Sequence, residues 1–169
     1  MGAPPWLRDG TEDTTVHTAD RMAIADVVTR YFMAIDRRDW TRLRSCFTDD
    51  VEGVYEGVRV AGGADRIMDF FTGVSPHRFP LEIVDLRASM HFIGNHYAQV
   101  TQDRAVAETY AQAHLIDHPA GGPRMRTRGL RYLDELVRID GRWLIRRREH
   151  ILEWMRHDDL LDAPGAGAG

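Results

Sequence analysis

Lysine is missing from this sequence altogether: all 22 basic residues are arginine. Imine chemistry needs a primary amine that can lose its proton. A guanidinium, with a pKa above about 12, cannot supply one, so a lysine Schiff-base mechanism is excluded. Such uniform arginine usage fits a coding bias, and frequency therefore singles out no arginine as functional. Cysteine is nearly missing too, and Cys46 has no intramolecular disulfide partner. No run of about 18 apolar residues occurs. Residues 1–10 lack a basic stretch followed by an apolar one. These absences predict no membrane span, no secretory leader and a cytoplasmic location. An excess of positive charge is absent as well: 26 acidic residues give a formal charge of −4 and a pI near 6.0. Nucleic-acid-binding domains are usually basic, so nucleic acid is not an expected partner.

What is present suits one globular domain. The chain has 169 residues, 43% of them hydrophobic, and a single core commonly serves about 100–200 residues. A chain of this size buries about 70% of its unfolded surface, enough to enclose a small-molecule pocket without disulfides or metal. Residues 1–17 mix Pro, Gly, Thr and acid without periodicity and are expected to form a flexible arm. Residues 161–169 end in Ala163-Pro-Gly-Ala-Gly-Ala-Gly169 and are expected to be a disordered tail. The folded body is then 18–160.

Apolar residues at Ile24, Val27, Val28, Tyr31, Phe32 and Ile35 follow one helical face, with Thr18 as a candidate N-cap and Asp20 in the first turn. A short helix is predicted over Trp40–Phe47, ended by Thr48-Asp49-Asp50. Next come a hairpin of Val51–Tyr55 and Val58–Ala61 around Glu56-Gly57, and a third helix over Ala64–Thr72. The second half reads as four long strands, Arg87–Val100, Arg104–Ile116, Arg124–Ile139 and Arg142–Trp154, the last two joined by the hairpin signal Asp140-Gly141. Helices on one face of a curved antiparallel sheet make an α+β domain with a cone-shaped interior. One face of the strand over 104–116 carries Ala105, Ala107, Thr109, Ala111, Ala113 and Leu115. Such an alanine row either admits a closely packed helix or leaves open volume.

Three patterns then coincide: Tyr31-Phe32-x-x-x-Asp36 near the end of the first helix, His91-x-x-x-Asn95 in the first long strand, and Asp140-Gly141-x-Trp143-x-Ile145 before the last. Together they resemble the SnoaL-like branch of the NTF2-like superfamily over residues ~20–155. Within that superfamily they are similar to the patterns of bile acid 7α-dehydratase, scytalone dehydratase and hexachlorocyclohexane dehydrochlorinase. The resemblance implies a cone with its sheet wrapped around the N-terminal helices. It also implies removal of a proton and a leaving group from a small hydrophobic substrate without metal or organic cofactor. Carried over by position, His91 is the base, Asp36 supports it, and Tyr31 and Arg148 assist. The bile acid dehydratase pattern has an acid and an arginine where this chain has Ala113 and Leu152, a departure that leaves the His/Asp pair in place. The resemblance places the alanine row on the pocket face, which favours open volume.

Each of these residues also has an ordinary structural reading. A neutral imidazole can take a proton, and an aspartate on its other nitrogen fixes the tautomer; a core or edge histidine looks the same in sequence. Asp36 lies in Asp36-Arg37-Arg38-Asp39, which also reads as a solvated helix end. Tyr31 and Asp36 stand about 140° apart around a helix, so they flank a pocket from two directions rather than touch. Strand alternation puts Arg146, Arg148 and His150 on one face, either to bind a substrate oxygen or as a charged edge. Asn95 either orients a polar group or, with Gly94, marks a bulge. Tyr55, Trp40, Phe70, Met90, Leu130, Tyr132 and Trp154 are wall or core, and Ala111, Ala113, His150 and Leu152 complete the expected substrate surface. His96, His114 and His118 show no metal spacing. His91 and His96, five apart, are expected on opposite faces, so no metal is predicted.

The expected function is a cofactor-independent lyase or isomerase, dehydratase-like, acting on a polycyclic or polyketide-like molecule. A SnoaL-type polyketide cyclase using the same residues is a second expectation. A non-catalytic subunit resembling the β subunit of ring-hydroxylating dioxygenases is a third. The resemblance further implies a homodimer or homotrimer, for which Tyr97 and Tyr110 offer sheet surface.

Overall fold

The computed structural model describes residues 17–73, 86–117 and 122–160; the predicted tail and, but for His17, the predicted arm lie outside them. Among the described residues three helices, α1 (Thr18–Arg37), α2 (Trp40–Arg44) and α3 (Ala64–Thr72), accompany six strands. The strands are β1 (Phe47–Tyr55), β2 (Val58–Val60), β3 (Leu86–Thr101), β4 (Arg104–Asp117), β5 (Arg124–Ile139) and β6 (Arg142–Asp159). They form one sheet in the order β2-β1-β6-β5-β4-β3. The long strands β3 to β6 are the expected antiparallel meander. β1, however, joins β6 in parallel, so the sheet is mixed.

α1 buries Ile24, Val27, Val28, Tyr31, Phe32 and Ala34, the face its periodicity predicted. Its N-cap is His17 rather than Thr18, and no side chain caps it. Its start is instead tied to the sheet by Asp20, which accepts from Arg138 and from the Trp143 indole, each at 2.9 Å. Arg38 closes α1 in the left-handed conformation at φ 54°. Asp39 then caps α2 by accepting from the Arg42 N–H at 3.0 Å. α2 stops at Arg44 rather than reaching Phe47, which already belongs to β1. Phe47 pairs with Ile145, and the Ile145 N–H bonds to the Cys46 carbonyl, so burial in the sheet overrides the helical pattern.

Three of the sheet's register shifts decide where the candidate site residues face. Between Ile93 and His96 the β3–β4 register slips, with Gly94 and Asn95 taking up the extra residue. An uninterrupted strand would turn Phe92 toward the helices and His91 outward, because side chains alternate strictly. With the bulge, His91 pairs with Ala113 and His96 with Thr109, both on the alanine face. This corrects the expectation that the two histidines face opposite sides. A second slip, between Glu135 and Leu136, takes Arg146 out of the alternation: Arg146 is exposed and pairs with Asp50, whereas Arg148 is fully buried. The expectation that Arg146 shares the face of Arg148 is thereby corrected. A third slip lies between Gly129 and Leu130. Beyond it Trp154 lies over Gly129 on the outer face and is 47% exposed, and Met90 is 50% exposed, so neither forms part of an inner wall.

The Glu56-Gly57 turn has φ values of 50° and 82°, the left-handed pair that a two-residue hairpin requires. A glutamate in that conformation costs about 1–2 kcal/mol relative to glycine. The alanine row is buried and forms the concave wall with Leu130, Tyr132 and Leu136. No described helix is long and apolar enough to cross a membrane.

Candidate active site

Asp36 sits in the last turn of α1, where a negative charge opposes the helix dipole. Its compensation comes from β3. The carboxylate accepts from the His91 backbone N–H at 2.9 Å and from Ser89 Oγ at 3.0 Å, and it meets His91 Nδ1 at 2.7 Å. Burial pushes the Asp36 carboxyl up, but the hydrogen bonds and charge of His91, with the Ser89 bond, outweigh it and hold the group below its ordinary value. A carboxylate only accepts, so Nδ1 carries the proton and the neutral ring keeps its lone pair on Nε2. The Phe32 ring stacks on the imidazole at 5.0 Å between centroids and 25° between planes, which fixes its orientation. The His91 side chain is 8% exposed.

The other two expected catalytic residues form a second cluster. Arg148 is wholly buried and makes two bonds to Asp134, at 2.7 and 2.6 Å. Its guanidinium lies 3.9 Å from the Tyr31 ring centroid and 4.9 Å from that of Tyr132. Burial alone would lower the Arg148 pKa, but the Asp134 charge raises it well above the ordinary value, so the cation is permanent. Burial likewise raises Tyr31, and raises Tyr55 and Tyr132 strongly, so all three phenols stay protonated donors. His150 packs against Tyr132 at 5.0 Å and Tyr55 at 5.8 Å. Burial, then the charges of Arg128 and Arg148, depress its pKa to about 3.

The structure thus brings Asp36 and His91 together directly, and Tyr31 and Arg148 together directly. Phe32 links the two pairs, touching His91 on one side and Tyr31 (5.3 Å) and Tyr132 (5.1 Å) on the other. Ala111, Ala113, Leu130 and Phe70 are buried, whereas Leu152 and Trp40 are half-buried against the same core. Asn95 is exposed in the bulge.

Sequence reasoning missed Ser89, Asp134 and Arg128. Ser89 lies two residues before His91, a spacing that offered a signal. Asp134 offered a false one: counted back from the Asp140-Gly141 turn without a bulge it would face Arg147, and the slip at Arg146 moves it opposite Arg148. Arg128, 5% exposed, pairs with Ala113 and forms an ion pair with Glu56. Among the described residues no cluster of three or more His, Cys, Asp or Glu is arranged to hold a metal ion.

Comparison with solved structures shows the same fold. A candidate scytalone dehydratase from Novosphingobium aromaticivorans DSM 12444 superposes with a TM-score of 0.70 at 19% identity, covering 92% of this chain and 99% of that one. The hexachlorocyclohexane dehydrochlorinase LinA-type3 from Novosphingobium barchaimii LL02 gives 0.71 at 19%, covering 89% and 100%. A candidate aromatic ring hydroxylase from Novosphingobium aromaticivorans gives 0.68 at 23%, covering 83% and 94%. No curated protein sequence matches. Residues 16–149 match the SnoaL-like domain, and the chain belongs to that family.

Proposed function

We propose that the protein is a cofactor-independent lyase of the dehydratase or dehydrochlorinase kind, with His91 as the base. The observation that carries this reading is the 2.7 Å contact between His91 Nδ1 and Asp36 on the buried concave face. Nε2 takes a proton from a substrate C–H. The electron pair of that bond forms the new double bond, and the leaving group departs with its own bonding pair, as halide, or as water when a leaving hydroxyl takes back the proton held on the His91 imidazolium. Asp36 holds the tautomer and stabilises the imidazolium as it forms. Tyr31, a neutral phenol against the Arg148 cation, is the donor to a substrate oxygen or leaving group. Arg148, held by Asp134 through Nε and Nη2, lies against the Tyr31 ring and acts through it as a positioning residue. The aromatic and alanine-lined interior suits a small hydrophobic substrate.

Water loss from scytalone and chloride release from hexachlorocyclohexane, the substrates in the names of two structural neighbours, are the first assays to run, followed by related polycyclic alcohols. With a turned-over substrate in hand, His91→Ala is expected to lower kcat by roughly 10²–10⁴-fold, with Asp36→Asn also strongly impaired. Unchanged rates in both variants would end this reading.

A further inference from the structure

Among the described residues two arginines are buried on the concave face, and their counter-ions differ in kind. Arg148 and Asp134 are both wholly buried on neighbouring central strands and joined by two bonds. Arg128 is also buried, but its carboxylate partner, Glu56, stands at the tip of the β1–β2 hairpin with its side chain 24% exposed. The hairpin backbone is anchored, since the Glu56 N–H bonds to the His150 carbonyl at 3.1 Å. The Glu56 carboxylate can therefore leave by side-chain rotation alone, without moving a strand. Glu56 also holds a left-handed conformation (φ 50°) that favours Asn, Asp or Gly. A residue kept against its backbone preference points to a use for its side chain.

Arg128 is also placed relative to the base. Across the sheet, His91 pairs with Ala113 and Ala113 pairs with Arg128. The two backbones are two strand spacings apart, about 9–10 Å, and the residue between them in the sheet, Ala113, carries only a methyl group. Burial lowers the Arg128 pKa, with the neighbouring Tyr132 opposing it.

We propose that Arg128 is a specificity-determining residue that binds a carboxylate on the substrate, with Glu56 as the internal counter-ion that the substrate carboxylate displaces. The substrate class is then a hydrophobic, aromatic-sized molecule bearing a carboxylate remote from the carbon whose proton His91 removes. A guanidinium presents paired donors matched to a carboxylate, which an amide cannot reproduce. The proposal deepens the proton-abstraction reading and rests on it for the position of the reacting carbon.

The test is isothermal titration of the full chain with 2-naphthoate and with its uncharged analogue 2-naphthamide, so that no turnover is needed. The wild type is expected to bind the acid about tenfold or more tighter than the amide. Glu56→Gln removes the competitor and is expected to tighten the acid about three- to tenfold while leaving the amide unchanged. Arg128→Gln is expected to erase the preference. The double variant Glu56→Gln/Arg128→Gln, which leaves no unpaired charge, must erase it too and serves if the single variant does not fold. Equal binding of acid and amide in the wild type, a preference that survives loss of Arg128, or no binding of either probe up to about 10 mM would overturn the proposal. An unchanged rate in His91→Ala bears only on proton abstraction, whereas these affinities bear only on Arg128.

Discussion

The buried imidazole of His150 makes folding stability fall on mild acidification. Its pKa is about 3 in the fold, against an ordinary value of about 6.5 in the unfolded chain. Burial is the largest cause, followed by the Arg128 charge, with Arg148 and His91 adding to it. Between these two values the unfolded chain binds the proton and the folded chain does not, so stability rises with pH across that window. The effect is absent above about pH 6.5 and grows as pH falls toward 3. At pH 5 the unfolded imidazole is almost fully protonated and the folded one almost fully neutral, a difference of about 2 kcal/mol. Urea unfolding at pH 7.5 and pH 5.0, in the wild type and in His150→Gln, isolates this contribution. The substitution lowers stability at both pH values through lost packing against Tyr55 and Tyr132, so the readout is the difference between the two pH values. The wild type is expected to lose about 2 kcal/mol more than the variant on going to pH 5.0. Equal losses would refute the reasoning.

The Arg148–Asp134 pair predicts a large cost when one partner is removed. Asp134→Ala strands a wholly buried cation and is expected to destabilise by about 3–5 kcal/mol in chemical denaturation; a loss under about 1 kcal/mol would mean the cation finds water or another partner. Gly53 lies on β1 opposite Arg148, and a Cβ there would come within 2.6 Å of the Tyr55 ring and 2.8 Å of Ile67. Gly53→Ala is therefore expected to cost about 1–3 kcal/mol by overpacking, read as a drop in the urea midpoint with an unchanged slope.

Much of this architecture was legible in the residues. The apolar stripe of α1, the bounds of α3 and β5, and the Asp140-Gly141 hairpin all follow from local periodicity and turn chemistry, and the structure keeps them. Asp36 and His91 were legible only through a family resemblance, because a charged helix end and a strand histidine are ordinary by themselves. What stayed hidden depends on register. A bulge adds one residue to a strand and inverts the facing of everything beyond it. The slip at Gly94-Asn95 turns His91 inward, and the slip at Arg146 joins Asp134 to Arg148. Arg128 was hidden for a related reason: in a strand rich in arginine, which one is buried depends on its cross-strand neighbour, here Ala113. The parallel pairing of β1 with β6 is likewise a long-range choice that no local pattern in Phe47–Tyr55 announces.

The central claim is that His91 presents a bare nitrogen as base because Asp36 holds the proton on the other one. The most direct measurement is the tautomer of the neutral His91 ring, read from the ¹⁵N shifts and two-bond couplings of the imidazole-labelled protein, with Asp36→Asn alongside. The account predicts a proton on Nδ1 and a lone pair on Nε2 in the wild type, with that preference weakened in the variant. A neutral ring protonated on Nε2, or a tautomer indifferent to Asp36, would contradict it.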